Sequence, residues 1–311
     1  MSELRKGYLF ALGAYGIWGF MPVYIKLVRR AGPLEILAHR VVWSVVLVAL
    51  LLAAMRRWAY VRALLRRPKA VAVIGFAAGL LAVNWGMYIY GVNTDRVVET
   101  ALGYFINPLV TVVLGVTVFR ERLRPAQWVA VGIGAAAVAV LTVDYGRLPY
   151  IALTLALSFA GYGLVKKRLR LPAAEGLLVE SGVLALPAAA YLIWLGADGR
   201  GAFGHGLGFT LLLLLAGAVT AVPLLFFAGA ANRIPLTALG VLQYLTPTLQ
   251  LGLGVLVFHE PMPPARLAGF GLVWVALIVF TADGLRQARR DARAVPADDQ
   301  GTLYVSSGLP S

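Results

Sequence analysis

"FRERLRPA" at residues 119–126 and "FHEPMPPA" at residues 258–265 are one stretch written twice. Phe119, Glu121, Pro125 and Ala126 return as Phe258, Glu260, Pro264 and Ala265, whereas Arg120, Arg122 and Arg124 give way to His259, Pro261 and Pro263. A shift of 139 residues carries the match outward without a gap, laying Asn93 on Asn232, Pro108 on Pro247, Gly115 on Gly254 and Gly132 on Gly271. Nine of the 19 positions from Pro108 to Ala126 are identical in the shifted copy, the loop Glu and Pro among them. The chain reads as an internal repeat, and the second copy has dropped only its charges.

The chain has 311 residues, 60% of them hydrophobic and 14% charged. Its mean hydropathy is +0.81, whereas soluble domains carry about 25% charged residues. This is the composition of a membrane protein. The first apolar stretch is long enough to span, and no small-residue cleavage site follows it, so it is expected to remain as a span and not to act as a signal peptide. The absence of cysteine excludes disulfides, thiol nucleophiles and cysteine metal sites. The formal charge of +14 sits in short clusters between apolar runs, as in "MRRWAYVRALLRRPK" (55–69) and "VKKRLR" (165–170). Cytoplasmic loops of membrane proteins have this look, so the expected partner is the lipid bilayer and not nucleic acid.

About 20 apolar residues are needed to cross a hydrocarbon core of about 30 Å. Ten stretches qualify: 7–27, 34–54, 70–91, 99–119, 125–143, 149–165, 175–195, 208–228, 237–258 and 265–283. The expected fold is therefore all-α, a membrane protein of ten transmembrane helices joined by short loops. Residues 1–6 form a cytoplasmic N-tail, and residues 284–311, polar and aperiodic, are expected to form a disordered cytoplasmic C-tail. With the N-terminus inside, most of the 28 Lys and Arg fall on the inner side, and the positive-inside rule puts both termini in the cytoplasm. Five spans per copy is an odd number, so residues 149–283 enter the membrane upside down relative to residues 7–143. Arginines that serve an inner loop would oppose the orientation of its outward-facing copy. The lost charges thus fit two inverted five-helix repeats.

A polar side chain in hydrocarbon is costly unless it faces a partner or a cavity, which makes each one a site candidate. Span 4 carries Thr100, Tyr104, Asn107 and Thr111 on one helical face. The shift lays these on Leu239, Gln243, Thr246 and Gln250 in span 9, a second polar stripe. Either the stripes line a cavity or they join helices, as Thr, Asn and Gln do in bundles. Pro108 and Pro247 lie one residue beyond Asn107 and Thr246, and Pro22, Pro187 and Pro223 are expected to interrupt spans 1, 7 and 8 similarly. "EILAHRVVWS" puts His39 and Arg40 inside span 2, and "EGLLVESGVL" puts Glu180 at nearly the corresponding depth of span 7. Arg40 is expected either to pair with Glu180 or to snorkel to headgroups roughly 9 Å away. Asn84 and Trp85 in span 3, with Tyr15 and Trp18 in span 1, add hydrogen-bonding groups and aromatic walls.

Two motifs fail. "GIGAAA" from Gly132 has a dinucleotide-fingerprint spacing but lies in an apolar span with no strand before it. "HEPMP" at 259–263 begins like a zinc helix, yet the second His is missing and position 263 is Pro. No metal or cofactor is expected, nor a hydrolase triad, so the chain is read as a non-enzyme. Small residues at Ala130, Gly132, Gly134, Gly269 and Gly271 suit close packing of spans 5 and 10, and a homodimer through these spans is a further expectation.

Five segments in order, "EILAHRVVWS", "LGYFINPLV", "YGLVKK", "TAVPLLFF" and "ALGVLQYLTPTL", resemble the EamA-type permeases of the drug/metabolite transporter superfamily. Within them the chain is most similar to the RarD group, named for chloramphenicol sensitivity. The resemblance covers residues 7 to 284, as two EamA-like five-helix repeats at 7–143 and 149–283. It implies an inner or plasma membrane permease with its substrate path between the repeats and spans 5 and 10 as scaffold. It also implies that His39, Arg40, Tyr104, Asn107, Gln243, Tyr244 and Thr246 occupy recurrent polar and aromatic positions, to which Asn84 is added from its place in span 3. The expected function is secondary transport of a small metabolite or amphiphilic compound by alternating access, in the direction of export, with Glu180 as the candidate for a coupling proton. The alternatives are an exchanger of anionic metabolites and a membrane chaperone or assembly subunit without a transport cycle.

Overall fold

Peptide groups in hydrocarbon find no water, so an apolar run must satisfy its own backbone, and a helix does this within one segment. A computed structural model describes residues 2–56, 58–119, 123–169 and 173–294, and among these every regular element is helical. In chain order they are α1 (Glu3–Gly19), α2 (Met21–Leu27), α3 (Pro33–Ala54), α4 (Trp58–Leu65), α5 (Pro68–Asn93), α6 (Val97–Phe119) and α7 (Pro125–Tyr145). There follow α8 (Tyr150–Leu169), α9 (Ala173–Ala197), α10 (Leu207–Ala231), α11 (Leu236–Leu242), α12 (Leu245–Gly252) and α13 (Pro264–Ala294). Nine stretches among the described residues are long and apolar enough to cross a membrane, with α1 and α2 counted as one. The tenth apolar stretch, Tyr150–Val165, is shorter because Lys166 and Lys167 follow it. Val143 is 82% and Leu186 80% exposed to the surroundings, which suits lipid and not water.

Neighbouring helices close into a ring. α1 packs on α10, α10 on α3, α3 on α9, α9 on α5, α5 on α8, α8 on α6, α6 on α12 and α12 back on α1. Outside the ring α7 and α13 pair with each other and lean on α6. Lipid tails are as apolar as leucine, so such contacts rest on close packing and on interhelical hydrogen bonds. Gly217 of α10 faces the backbone of Trp43 in α3 so closely that a Cβ there would lie 2.5 Å from the Trp43 carbonyl oxygen. At the α7–α13 seam, Gly269 lies as close to the Leu141 side chain. The close approach expected of spans 5 and 10 therefore occurs within one chain, and a homodimer through them would have to use their outward faces.

Two ends of the bundle are distinguished by what ties them. At one, Glu260 reaches the start of α6, Arg147 binds Glu99, Arg266 binds Asp144, Lys26 binds Asp95, and Glu35 reaches Ala202. This Glu260 end is also filled by an apolar cluster that includes Ile25, Ile36, Ile89, Ile151 and Leu213, all fully buried. At the other, the Glu3 end, Arg233 binds Glu3, and Arg124 binds Asp283. The stretch at 55–69, expected as a loop, contains α4, which buries Val61 and Leu64 and leaves Arg62 outside.

Several expected boundaries are corrected. The first helix begins at Glu3 and not after residue 6, capped by the Ser2 hydroxyl, which accepts from the Arg5 amide. Span 1 breaks at Phe20, where Pro22 opens α2, a position that needs no amide proton. Span 9 breaks at Gln243 and Tyr244 and ends in a π-type turn, Leu253–Val257. Pro187 and Pro223, by contrast, lie inside continuous α9 and α10, as Pro108 does in α6. One proline removes one hydrogen bond, and the neighbouring turns and helices hold the rest. The tail expected from residue 284 is helical to Ala294, in keeping with its run of Ala, Arg, Gln and Leu. Residues 295–311 and the loop residues Arg120, Glu121 and Arg122 lie outside the described residues.

Gly217→Ala is expected to destabilise the protein by about 1–3 kcal/mol, because the methyl group would meet backbone and not a yielding side chain. Thermal unfolding in detergent measures it, with Gly271→Ala, where a Cβ meets nothing within 4 Å, as the neutral control.

Candidate functional site

The ring gathers a polar cluster between α3, α5, α6, α8 and α10. Arg40 is 4% exposed. Its Nε donates to the Thr220 hydroxyl at 3.1 Å, and its guanidinium lies 4.7 Å over the ring of Trp85. The hydroxyls of Tyr24, Tyr88 and Tyr104 lie within its electrostatic reach. Beside it the Asn84 amide donates to the Leu155 carbonyl at 2.9 Å and to the Ser158 hydroxyl at 3.1 Å. The Asn84 carbonyl oxygen accepts from the Tyr104 hydroxyl at 3.3 Å. The rings of Tyr88 and Tyr104 stand 5.8 Å apart.

His39, next in sequence to Arg40, points elsewhere. Adjacent helical positions turn by about 100°, and His39 faces the 198–206 connection, where its ring stacks on Phe203 at 5.2 Å. Its Nδ1 accepts from the Trp43 indole at 3.0 Å, and its Nε2 lies 3.7 Å from Glu35. Glu35 in turn accepts from the Ala202 amide at 2.7 Å. His39 thus pins a connection at the Glu260 end and does not join Arg40.

Glu180 is buried and accepts from the Tyr162 hydroxyl at 3.0 Å, but Arg40 is not its partner. The expected pairing fails on depth. The Glu35–Ala202 bond joins the start of α3 to the connection that follows α9, so the two helices run antiparallel. Arg40 lies seven residues from the Glu260 end of α3, and Glu180 seven residues from the opposite end of α9. At 1.5 Å per residue they are roughly 12 Å apart along the axis. Arg40 does not snorkel either, since it is enclosed among the helices.

The span 9 stripe meets span 1 at their two breaks. Pro22 cannot supply the amide that the Trp18 carbonyl would receive in a helix, and Gln250 Nε2 donates to that carbonyl at 3.0 Å. The Thr246 hydroxyl donates to the Tyr15 carbonyl at 3.0 Å, and the Tyr15 hydroxyl to the Leu239 carbonyl at 3.1 Å. Thr246 and Gln250 here join helices. Gln243 and Tyr244 are half-buried at the α11–α12 break, Tyr244 beside Thr281. In α6, Asn107 is half-buried, its buried Oδ1 has no partner among the described residues, and its backbone carbonyl accepts from Thr111.

At the Glu260 end, the π-type turn and a left-handed His259 (φ 54°) swing Glu260 onto the start of α6. Its carboxylate accepts from the Val97 amide at 2.6 Å and the Val98 amide at 2.8 Å, capping α6. A cavity of about 150 Å³ opens beside it, lined by Arg96, Glu99, Tyr145, Arg147 and Arg266 among others. A second, about 260 Å³, is an apolar recess between α3, α5 and α9. None of the nine candidates from the sequence lines either one. Sequence reasoning missed Tyr24, Tyr88 and Thr220. Tyr88 carried a signal, since it follows Asn84 by four residues and shares its face.

These features define a polytopic helical membrane protein with a polar interior. The EamA-like transporter family matches residues 5–143. "Protein RarD" of Streptomyces exfoliatus is 54% identical over 311 residues, covering 100% of this chain and 99% of that protein. "Uncharacterized transporter YojE" of Bacillus subtilis is 40% identical, covering 93% of this chain and 97% of that one. A crystal structure at 20% identity superposes with a TM-score of 0.60 over 89% of this chain and 98% of its own, a likeness of fold. The chain belongs to the EamA-like transporter family, among its RarD proteins, and is a multi-pass membrane transporter.

Gln250→Leu should leave the Trp18 carbonyl buried and unanswered, a loss of about 1–3 kcal/mol readable as a lower unfolding temperature, whereas Thr248→Val, exposed on the far face, should cost little. Burial pushes the Glu260 carboxyl above its ordinary value, against the pull of the Val98 and Val97 amides and of Lys26. The folded protein therefore holds this proton to higher pH than the unfolded chain does. The associated stability is complete below the ordinary carboxylate range and declines as pH rises through the folded value. Glu260→Gln should lose that slope in unfolding-temperature profiles run from acid to neutral pH; parallel profiles would count against it.

Proposed function

We propose that the protein is a secondary transporter that exports a small metabolite or amphiphilic compound across the inner or plasma membrane by alternating access between two inverted five-helix repeats, 7–143 and 149–283. One observation carries the reading. The ring runs through spans 1, 8, 2, 7, 3, 6, 4 and 9, and exchanging each span with its repeat partner (1 with 6, 2 with 7, 3 with 8, 4 with 9) returns the same ring. Spans 5 and 10 pair outside it, where the repeat-related Asp144 and Asp283 bind Arg266 and Arg124. Such exchange symmetry suits a carrier whose halves rock about an interior site. The interior cluster of Arg40, Asn84 and Tyr104 supports a solute path there. We assign the Glu3 end to the cytoplasm because the exposed Arg56, Arg62, Arg66, Arg67 and Lys69 cluster at that level.

Reporters fused after Arg122 and after Pro261 test the topology, and both reading the same side would end the inverted reading. Single cysteines at 104, 107, 243 and 246, in a chain with no native cysteine, test the path. Substrate should slow maleimide labelling of path residues, while Val110 and Leu249 should react poorly. Counterflow of loaded solutes in reconstituted vesicles supports a carrier, and its absence across a broad panel supports the chaperone or subunit reading. Glu180 is the proposed coupling carboxylate. Glu180→Gln should abolish pH-driven transport and leave counterflow intact; unchanged pH dependence removes it from that role.

A further inference from the structure

We propose that Arg40 is the counter-charge for the carboxylate of an organic monoacid with an apolar or aromatic body, bound between Trp85, Tyr88 and Thr220; this rests on the transport reading. Five charged side chains are buried among the described residues: Glu35, Arg40, Glu99, Glu180 and Glu260. The four carboxylates are engaged elsewhere, Glu35 by the Ala202 amide, Glu99 by Arg147 and the Ile151 amide, Glu180 by Tyr162, and Glu260 by the Val97 and Val98 amides. Arg40 is left as the one buried cation without an opposite charge among the described residues. A charge held this way is strongly unfavourable unless something pairs with it.

Its hydrogen bonding points the same way. Nε is taken by Thr220, but the two terminal amino groups have no acceptor among the described residues. These are the groups whose fork geometry matches a carboxylate. The Tyr88 hydroxyl, also buried, has no partner among the described residues either, whereas those of Tyr24 and Tyr104 are committed to the Leu212 carbonyl and to Asn84. Free donors are thus a guanidinium fork and one phenol, set among aromatic rings. One cation balances one negative charge. Among the described residues no second cation stands by, since Lys26 is bound to Asp95 and His39 faces Phe203. That favours a monocarboxylate over a phosphate dianion, and the rings favour an apolar body.

The purified protein tests this through its unfolding temperature in detergent with phenylacetate, its neutral amide phenylacetamide, and inorganic phosphate, followed by monocarboxylates from acetate to indole-3-acetate. Phenylacetate should raise the unfolding temperature, and the amide and phosphate should not. Arg40→Met should unfold at or above the wild-type temperature, because it removes an unbalanced charge, and should ignore the acid. Tyr88→Phe, which deletes only an unpartnered hydroxyl, should bind about 10-fold more weakly. Equal response to acid and amide, a stronger response to phosphate, no response to any monocarboxylate, or an unchanged response in Tyr88→Phe overturns the proposal. An Arg40→Met protein that unfolds several degrees lower without ligand makes Arg40 structural and overturns it as well. Vesicle counterflow separates the two readings: carriage of neutral solutes but not of organic acids removes the acid site and keeps the transporter, while acid binding without any counterflow keeps the site and removes the transporter.

Discussion

Hydrocarbon offers no hydrogen bonds, and the rest of this structure follows from that constraint. A helix that breaks in the membrane must have its freed carbonyls and amides answered by another part of the protein. Span 1 breaks at Phe20 and span 9 at Gln243, and both breaks lie along one seam of the ring. Gln250 answers the Trp18 carbonyl that Pro22 cannot reach, and Thr246 and Tyr15 exchange contacts with the opposite backbone. Glu260 meets the same demand at the start of α6, on two amides that no turn of that helix can satisfy. The polar side chains of this seam complete the backbone and so cannot be moved cheaply.

The interior of the ring obeys another rule. Asn84, Ser158 and Tyr104 form a satisfied network that ties α5, α6 and α8 together. Arg40, Tyr88 and Asn107 retain donors or acceptors without partners among the described residues, at a depth where such groups are costly. The satisfied groups join helices, and on the reading proposed above Arg40 and Tyr88 are kept for what enters from outside. Sorting the polar residues this way separates Thr246 from Arg40 more sharply than their types do.

Much of the fold was legible because apolar length and charge spacing obey the bilayer directly. The apolar stretches and the buried ranks of Arg40, Asn84 and Glu180 could be read that way. What could not be read depends on which face or depth a residue takes. Arg40 and Glu180 hold similar places in their own helices, yet these helices run in opposite directions, so the residues sit at different levels. His39 and Arg40 are neighbours in sequence, and the rotation of about 100° between adjacent helical residues sends them to different partners. Five prolines look alike in the sequence, but only two lie next to a break, the others standing inside continuous helices. The repeated Glu marked the repeat, and its capping of α6 became visible only once the turn after Val257 placed it.

The α7–α13 pair has a consequence of length. Arg124–Asp283 and Arg266–Asp144 close it at both ends, and 17 to 20 residues separate the charges on each helix, about 26–30 Å at 1.5 Å per residue. That is the thickness of a hydrocarbon core. Sliding one helix by a turn, about 5.4 Å, would break both ion pairs together, so the pair has a fixed gauge. A bilayer that thins or thickens must be met by tilting this pair as a unit. Since the pair leans on the ring mainly through α6, a change in its tilt would reach the ring first at that helix.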